Sequence, residues 1–185
     1  MNEDSESDVA LVRRARTGDR EAFGALIERH QPAVAGFLVG VLRDLDLAEE
    51  TAQEAFVKAY VNLASFEGRS NFKTWVSHIA LNAARSRQRW SGLRQWLSLD
   101  APRQDASGAW EEQVEAAAPD EFAAVERRLE FDRAMTGLGR REREITAMRL
   151  EGYDLNEIAD ILRITEGTVK STLFTATRKM REKLS

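Results

Sequence analysis

Apolar positions recur at spacings of three and four along almost the whole chain, and no alternating pattern persists, so the sequence reads as nearly all helix. Phe23, Ile27, His30, Val34, Phe37 and Val41 share one stripe, which Pro32 is expected to divide into two helices. His30 on that stripe reads as a histidine at the edge of a core. Farther on, Ala52, Phe56, Ala59 and Leu63 face inward, while Glu49, Glu50, Gln53 and Glu54 form an outward acidic strip. Phe72, Trp75, Val76, Ile79 and Ala83 make the inner face of the next helix. Helix starts are marked by residues whose side-chain oxygens can take the first free amides. Asp19 is one, and Ser70 or Asn71 another. Asp46 with Glu49, and Asp154 with Glu157, have the spacing of a capping box.

Over 91–120 the periodicity fails. Ser91-Gly92, Pro102, Ser107-Gly108 and Pro119 accompany an acidic excess, the composition of a flexible linker. It divides the chain into 1–90 and 121–185. The fold class is therefore all-α, two small helical domains joined by a flexible acidic linker. The second domain is near the lower size limit for folding alone.

Composition narrows the chemistry. The 185 residues contain no cysteine, which excludes disulfides, thiol nucleophiles and Cys-based metal sites. His30 and His78 are the two histidines, too few for a multi-His metal centre. No Gly-rich phosphate loop, nucleophile elbow or zinc motif occurs, so no catalytic residue, metal or cofactor is expected. An acidic-bundle enzyme using Glu49, Glu50 and Glu54 with His30 lacks the Glu-x-x-His pairs such sites need. The acidic start and a longest apolar run of ten residues, Ala33 to Leu42, argue for a cytoplasmic protein without direct membrane insertion.

The net charge of −4 conceals strong segregation. Residues 1–60 carry 7 basic and 12 acidic groups, 61–99 carry 6 and 1, 100–120 carry 1 and 6, and 163–185 carry 6 and 2. Charge alone fits two solvated basic helix faces; what accompanies each segment points elsewhere. Between Gly152 and Ser185, a short helix over 155–162 is followed by a turn at 163–166 and a second helix opening near Gly167-Thr168. Val169, Leu173, Ala176, Met180 and Leu184 form the packing stripe of that second helix. Thr168, Lys170, Ser171, Thr172, Phe174, Thr175 and Arg178 lie away from it. Two helices across a tight turn, the second basic outside and with small Ala159 at the crossing, describe a helix-turn-helix that reads duplex DNA. The plainer reading is a helical hairpin with a basic surface.

The other basic segment, FEGRSNFKTWVSHIALNAARSRQRW, opens with a turn and continues as a helix. His78, Asn82, Arg85 and Arg89 line one edge, and 69–94 hold six basic residues and no acidic one. Aromatic, amide and arginine groups around a loop suit single-stranded DNA, with cations along the backbone and a pocket for an unstacked base. Phe72 and Trp75, at helical spacing, read more simply as core.

DLAEETAQEAF, FEGRSNFKTWVSHIALNAARSRQR and GLGRREREITAMRLEGYDLNEIADILRITEGTVKSTL, in this order, resemble the segments of an extracytoplasmic-function (ECF) sigma factor, within the sigma-70 family of bacterial transcription initiation factors. The resemblance implies sigma region 2 over 1–90 and region 4 over 121–185. Asp46, Glu49, Glu50, Gln53, Glu54 and Phe56 would then dock on core RNA polymerase. The turn Glu67, Gly68, Arg69, Ser70 and Asn71 would hold a flipped base of the −10 element, and Asn82 and Ser86 would sit at the melting edge. Phe66, Lys73, His78, Arg85 and Arg89 would belong to the same −10 and melting surface. The residues listed on the second basic helix would face the −35 element. Promoter DNA, core RNA polymerase and an anti-sigma factor are the implied partners, and the polymerase would carry the protein to the nucleoid. Gly139 stands where the family usually has proline, and Thr172, Thr175 and Thr177 where it commonly has arginine, which would weaken or shift −35 contact. The alternative is a conventional helix-turn-helix regulator that binds duplex DNA independently of polymerase.

Overall fold

The computed structural model describes residues 6–96 and 133–184. The acidic stretch 100–120, and with it the expected linker beyond Trp96, lies outside the described residues. All regular structure in the described residues is helical. Helix α1 spans Asp8–Arg16, α2 Arg20–Leu42, α3 Leu45–Val61 and α4 Phe72–Trp96, with a 3₁₀ turn at Leu63–Ser65. After a helical turn at 133–136 come α5, Arg140–Leu150, α6, Leu155–Leu162, and α7, Glu166–Leu184.

Local chemistry sets these boundaries. Ser7 and Asp19 accept from Ala10 and Ala22 amides and open α1 and α2. At the end of α2, Arg43 turns left-handed (φ 59°), which leaves Asp44 extended and able to accept from Leu47 N–H at 2.9 Å. Asp44, and not the expected Asp46, therefore caps α3. Asn71 Oδ1 accepts from Thr74 N–H at 2.7 Å, settling the choice between Ser70 and Asn71. The capping box of Asp154 and Glu157 forms as expected, with reciprocal bonds of 2.8 and 2.9 Å.

Two helices run farther than the sequence implied. Helix α2 passes through Pro32 unbroken. The proline faces solvent, and the missing amide bond, worth about 3 kcal/mol, is outweighed by what the same helix buries: Leu26, Val34, Phe37 and Leu38 are all fully enclosed. Helix α4 continues past Ser91-Gly92 to Trp96. A mid-helix glycine costs only about 1 kcal/mol, too little to stop a helix already propagating.

Helices α1–α4 wrap around a core centred on Leu26, Phe37, Phe72 and Leu81, while α5–α7 enclose Ile145, Met148, Ile158 and Val169. The two cores are continuous with each other. Helix α2 lies on α5 because Gly36 and Gly40, one turn apart, open a groove in its surface. A Cβ on Gly40 would stand 2.7 Å from that of Ala147, and one on Gly36 would meet the Glu151 carboxylate at 2.3–2.5 Å. Tyr153, fully buried, fills the seam, with its ring edge-on to Phe37 at 5.8 Å.

Phe37→Ala is expected to cost about 3–5 kcal/mol, because Phe37 is fully buried and touches both halves of the core. Denaturant unfolding of the full chain measures this; a loss below about 1 kcal/mol would place the centre of the core elsewhere.

Candidate nucleic-acid interface

The loop after the 3₁₀ turn is built before it is used. Arg16 on α1 donates to three carbonyls, those of Leu63 at 3.2 Å, Ala64 at 3.0 Å and Phe66. Bridging so many acceptors fixes the strand that leads into the loop. Gly68 then takes φ 72°, a left-handed turn that glycine adopts without strain. Glu67 and Arg69 project into solvent and pair with each other, and Ser70 is half-buried. Between this loop and α1 lies a cleft of about 380 Å³, lined by Val9, Arg13, Arg16, Glu67, Ser70 and Asn71 among others.

Phe66 lines that cleft, but as part of its wall and not as an open platform. It is 8% exposed, with its ring 4.9 Å from Trp75 and edge-on to Phe72 at 6.1 Å. Phe72 and Trp75 belong to the same aromatic cluster, as the plainer reading had it. His30 sits beside Phe72 and bonds Asp8 through Nε2 at 2.7 Å, a core-edge histidine as expected.

Along α4 a basic edge forms, and several of its groups are already engaged. Lys73 Nζ meets Glu157 of α6 at 2.9 Å and lies 4.4 Å over the Tyr153 ring. Asn71 Nδ2 donates to the same carboxylate at 2.9 Å. Arg85 grips Glu144 of α5 through Nε and Nη2 at 2.8 and 2.7 Å. Arg85 is thus ion-paired in this structure, and Lys73 and Asn71 are likewise occupied. The sequence concealed this because Glu144 and Glu157 lie some sixty to eighty-five positions away. Asn82 is exposed and 3.3–3.4 Å from the His78 ring; Ser86 is half-buried and Arg89 exposed. Burial and then the guanidiniums of Arg163 and Arg85 push the His78 imidazole below its ordinary value.

On α3, Asp46, Glu49, Glu50 and Gln53 are exposed and Glu54 half-buried. Arg87, not singled out in the sequence, bridges Glu50 and Glu54 at 2.9 Å each, so part of the acidic strip is neutralised. Phe56 is buried, yet it floors an apolar groove of about 460 Å³ between α2 and α3 with Phe23, Ile27, Val57 and Tyr60.

The helix-turn-helix matches its expected outline within a residue. Helix α6 ends at Leu162, Arg163 turns left-handed, and α7 begins at Glu166. Thr165 Oγ1 accepts from Thr168 N–H at 3.2 Å. Val169 and Ala176 are buried and Leu173 and Met180 pack against them; the side chain of Leu184 lies outside the described residues. Thr168, Lys170, Ser171, Phe174 and Arg178 are exposed, Phe174 by 75%, while Thr172 and Thr175 are half-buried and bond Thr168 and Ser171 carbonyls. Gly139 replaces the expected proline without loss of the cap, since Glu142 accepts its amide at 2.7 Å. Among the described residues no group of acidic or histidine side chains could hold a metal, and no helix is long and apolar enough to cross a membrane.

The model of sigma-70 region 2 matches residues 26–92, and that of sigma-70 region 4 matches residues 128–180. Over 182 residues the chain is 33% identical to the ECF RNA polymerase sigma-E factor of Haemophilus influenzae, covering 96% of this chain and 95% of that protein. The chain belongs to the ECF sigma factors. Identity to the sigma-E factor of Escherichia coli is 34% over 177 residues, covering 92% and 90% of the two chains. The fold is shared with CnrH, solved with the cytosolic domain of CnrY (TM-score 0.68, 22% identity, 96% of each chain). It is shared too with the sigma factor RpoE of Bartonella quintana, solved with the anti-sigma factor NepR (TM-score 0.66, 23% identity, 88% of this chain and 96% of that one). The stand-alone regulator reading gives way here, because this sigma factor matches its relatives over both halves and not over the helix-turn-helix alone.

His78 of this sigma factor is expected to titrate below 6.5 in the folded chain, since burial and two neighbouring guanidiniums disfavour its charged form. The stability it contributes is complete above about 6.5 and falls as pH drops below that value, because the unfolded chain takes up the proton first. An NMR titration of the imidazole checks both position and sign, and a midpoint at or above 6.5 contradicts the arrangement of Arg85 and Arg163.

Proposed function

We propose that this chain docks on core RNA polymerase through region 2, directs it to a promoter set, and promotes opening of the −10 element while region 4 holds the −35 element. The observation that carries the reading is the order on one chain of two complete DNA-facing modules, one a loop and basic helix, the other a helix-turn-helix. The assignment takes 1–90 as region 2, 91–120 as a linker and 121–185 as region 4. Relatives named RNA polymerase sigma factors support the polymerase as partner. The Bartonella RpoE complex supports an anti-sigma factor as a second partner. The protein acts in the cytoplasm, on nucleoid-bound polymerase, as a factor and not as an enzyme.

Each step has a physical source. The cleft beside Glu67–Asn71 receives an unstacked base; extrusion costs a few kcal/mol, which the loop held by Arg16 and the polymerase contacts offset. Asn82, Ser86 and Arg89 lie along the edge where the freed strand would run. Thr168, Lys170, Ser171 and Phe174 enter the major groove, where Phe174 suits a thymine methyl. Arg178 meets a phosphate. The exposed acids Asp46, Glu49 and Glu50, with Gln53, Glu54 and the Phe56 groove, present a mixed acidic and apolar face for the polymerase.

In vitro transcription with purified bacterial core polymerase on a genomic fragment library tests the whole reading: discrete transcripts that need this chain are expected, and none from any template would refute it. On a promoter so found, Asn82→Ala is expected to lower permanganate reactivity at the −10 element several-fold without changing binding at −35. Arg16→Ala should do the same by releasing the loop. Lys170→Ala should weaken promoter binding across sequences and reduce its salt slope by about one, and an unchanged slope would remove α7 from the DNA.

A further inference from the structure

Helix α1 carries three arginines, and the fold engages two of them. Arg14 is paired with Glu6 at 2.5 Å and with Asp19 at 2.6 Å, and Arg16 donates to the carbonyls that fix the loop. Arg13 is exposed and has no ion-pair or hydrogen-bond partner among the described residues. It lines the cleft between α1 and the loop. Val9, one turn earlier on the same face of the helix, lines the cleft as well and is 70% exposed. Deeper in, the wall is apolar and buried, made by Val12, Phe66 and Phe72. The two carboxylates that line the cleft each have a cation beside them. Asp8 meets Arg29 at 2.5 Å and His30 Nε2 at 2.7 Å, and Glu67 pairs with Arg69. The rim therefore offers a guanidinium without an anion and no carboxylate without a cation.

We propose that α1 is the second wall of the −10 reader, with Arg13 holding the phosphate beside the unstacked base and Val9 packing against the sugar of that nucleotide. The inference rests on the reading of the cleft as the −10 pocket. A buried apolar wall suits the face of a base, and a base that enters the cleft leaves its phosphate at the rim, where Arg13 stands. The fork of guanidinium donors fits phosphate oxygens, and no internal pair has to break before they meet. Such a contact adds affinity without reading sequence. It forms only once the base is in the cleft, so it favours the open strand over the duplex.

Arg13→Ala and Arg13→Lys in the full chain, assembled with core polymerase, test the contact on a premelted bubble that carries the −10 element of a promoter found with the fragment library. Arg13→Ala is expected to lower capture of the bubble several-fold and to reduce its salt slope by about 0.7, the share of one single-strand phosphate. Arg13→Lys should keep the slope, because the charge remains. Val9→Ser should lower capture with the slope unchanged. A methylphosphonate, which removes one phosphate charge, can then be placed in turn along the strand. Beside the unstacked base it should cost the wild-type chain the same factor as Arg13→Ala and cost the Arg13→Ala chain nothing further. Equal capture and slope for wild type and Arg13→Ala, or losses that add at every phosphate, overturn the proposal. Thermal unfolding of the free chain should be unaltered by Arg13→Ala, and a lowered midpoint would overturn it too, by showing that the guanidinium holds the fold. Wild-type chain that captures no bubble with core polymerase would instead refute the proposed function, on which this contact depends.

Discussion

A half-buried guanidinium gripping a buried carboxylate sets the architecture of this chain. Glu144 is almost wholly enclosed, and both of its oxygens are met by Arg85 from the other half. Leaving such a carboxylate without its partner costs about 3–5 kcal/mol, so the pair favours the register in which both oxygens are met. Gly36 and Gly40 make the register attainable by letting α2 approach α5, and Tyr153 fills the remaining space. The hydrogen bond to Glu144 raises the Arg85 pKa, although a guanidinium is charged at physiological pH in any case.

The same pair links fold to function. A basic helix edge on a sigma factor is poised to bind nucleic acid unselectively, because phosphate contacts carry no sequence information. Lys73 and Arg85 are instead engaged internally, by Glu157 and Glu144. Lys73 illustrates the economy of the device, being at once an ion-pair partner of Glu157 and a cation over the Tyr153 ring.

Much of this was legible in the sequence wherever the signal was local. The stripe Val169, Leu173, Ala176 and Met180, the capping box of Asp154 and Glu157 and the glycine turn at Gly68 are short-range patterns, and each forms as its spacing implies. Errors arose where distant parts decide. Asp46 looks like a cap until Arg43 turns left-handed and hands the task to Asp44. Pro32 looks like a break until the burial of Phe37 and Leu38 is counted. Arg85 shares an edge with Asn82 by periodicity, but nothing near it in the chain shows that Glu144 will claim it. Arg16 and Arg87 drew no notice because their acceptors, the Leu63–Phe66 carbonyls and the Glu50–Glu54 acids, are brought to them only by folding.

Single-molecule energy transfer between dyes on cysteines introduced at exposed Glu21 of α2 and Asp160 of α6 tests the central claim most directly. The account predicts one high-transfer population in the free chain. Low transfer in the free chain would contradict it.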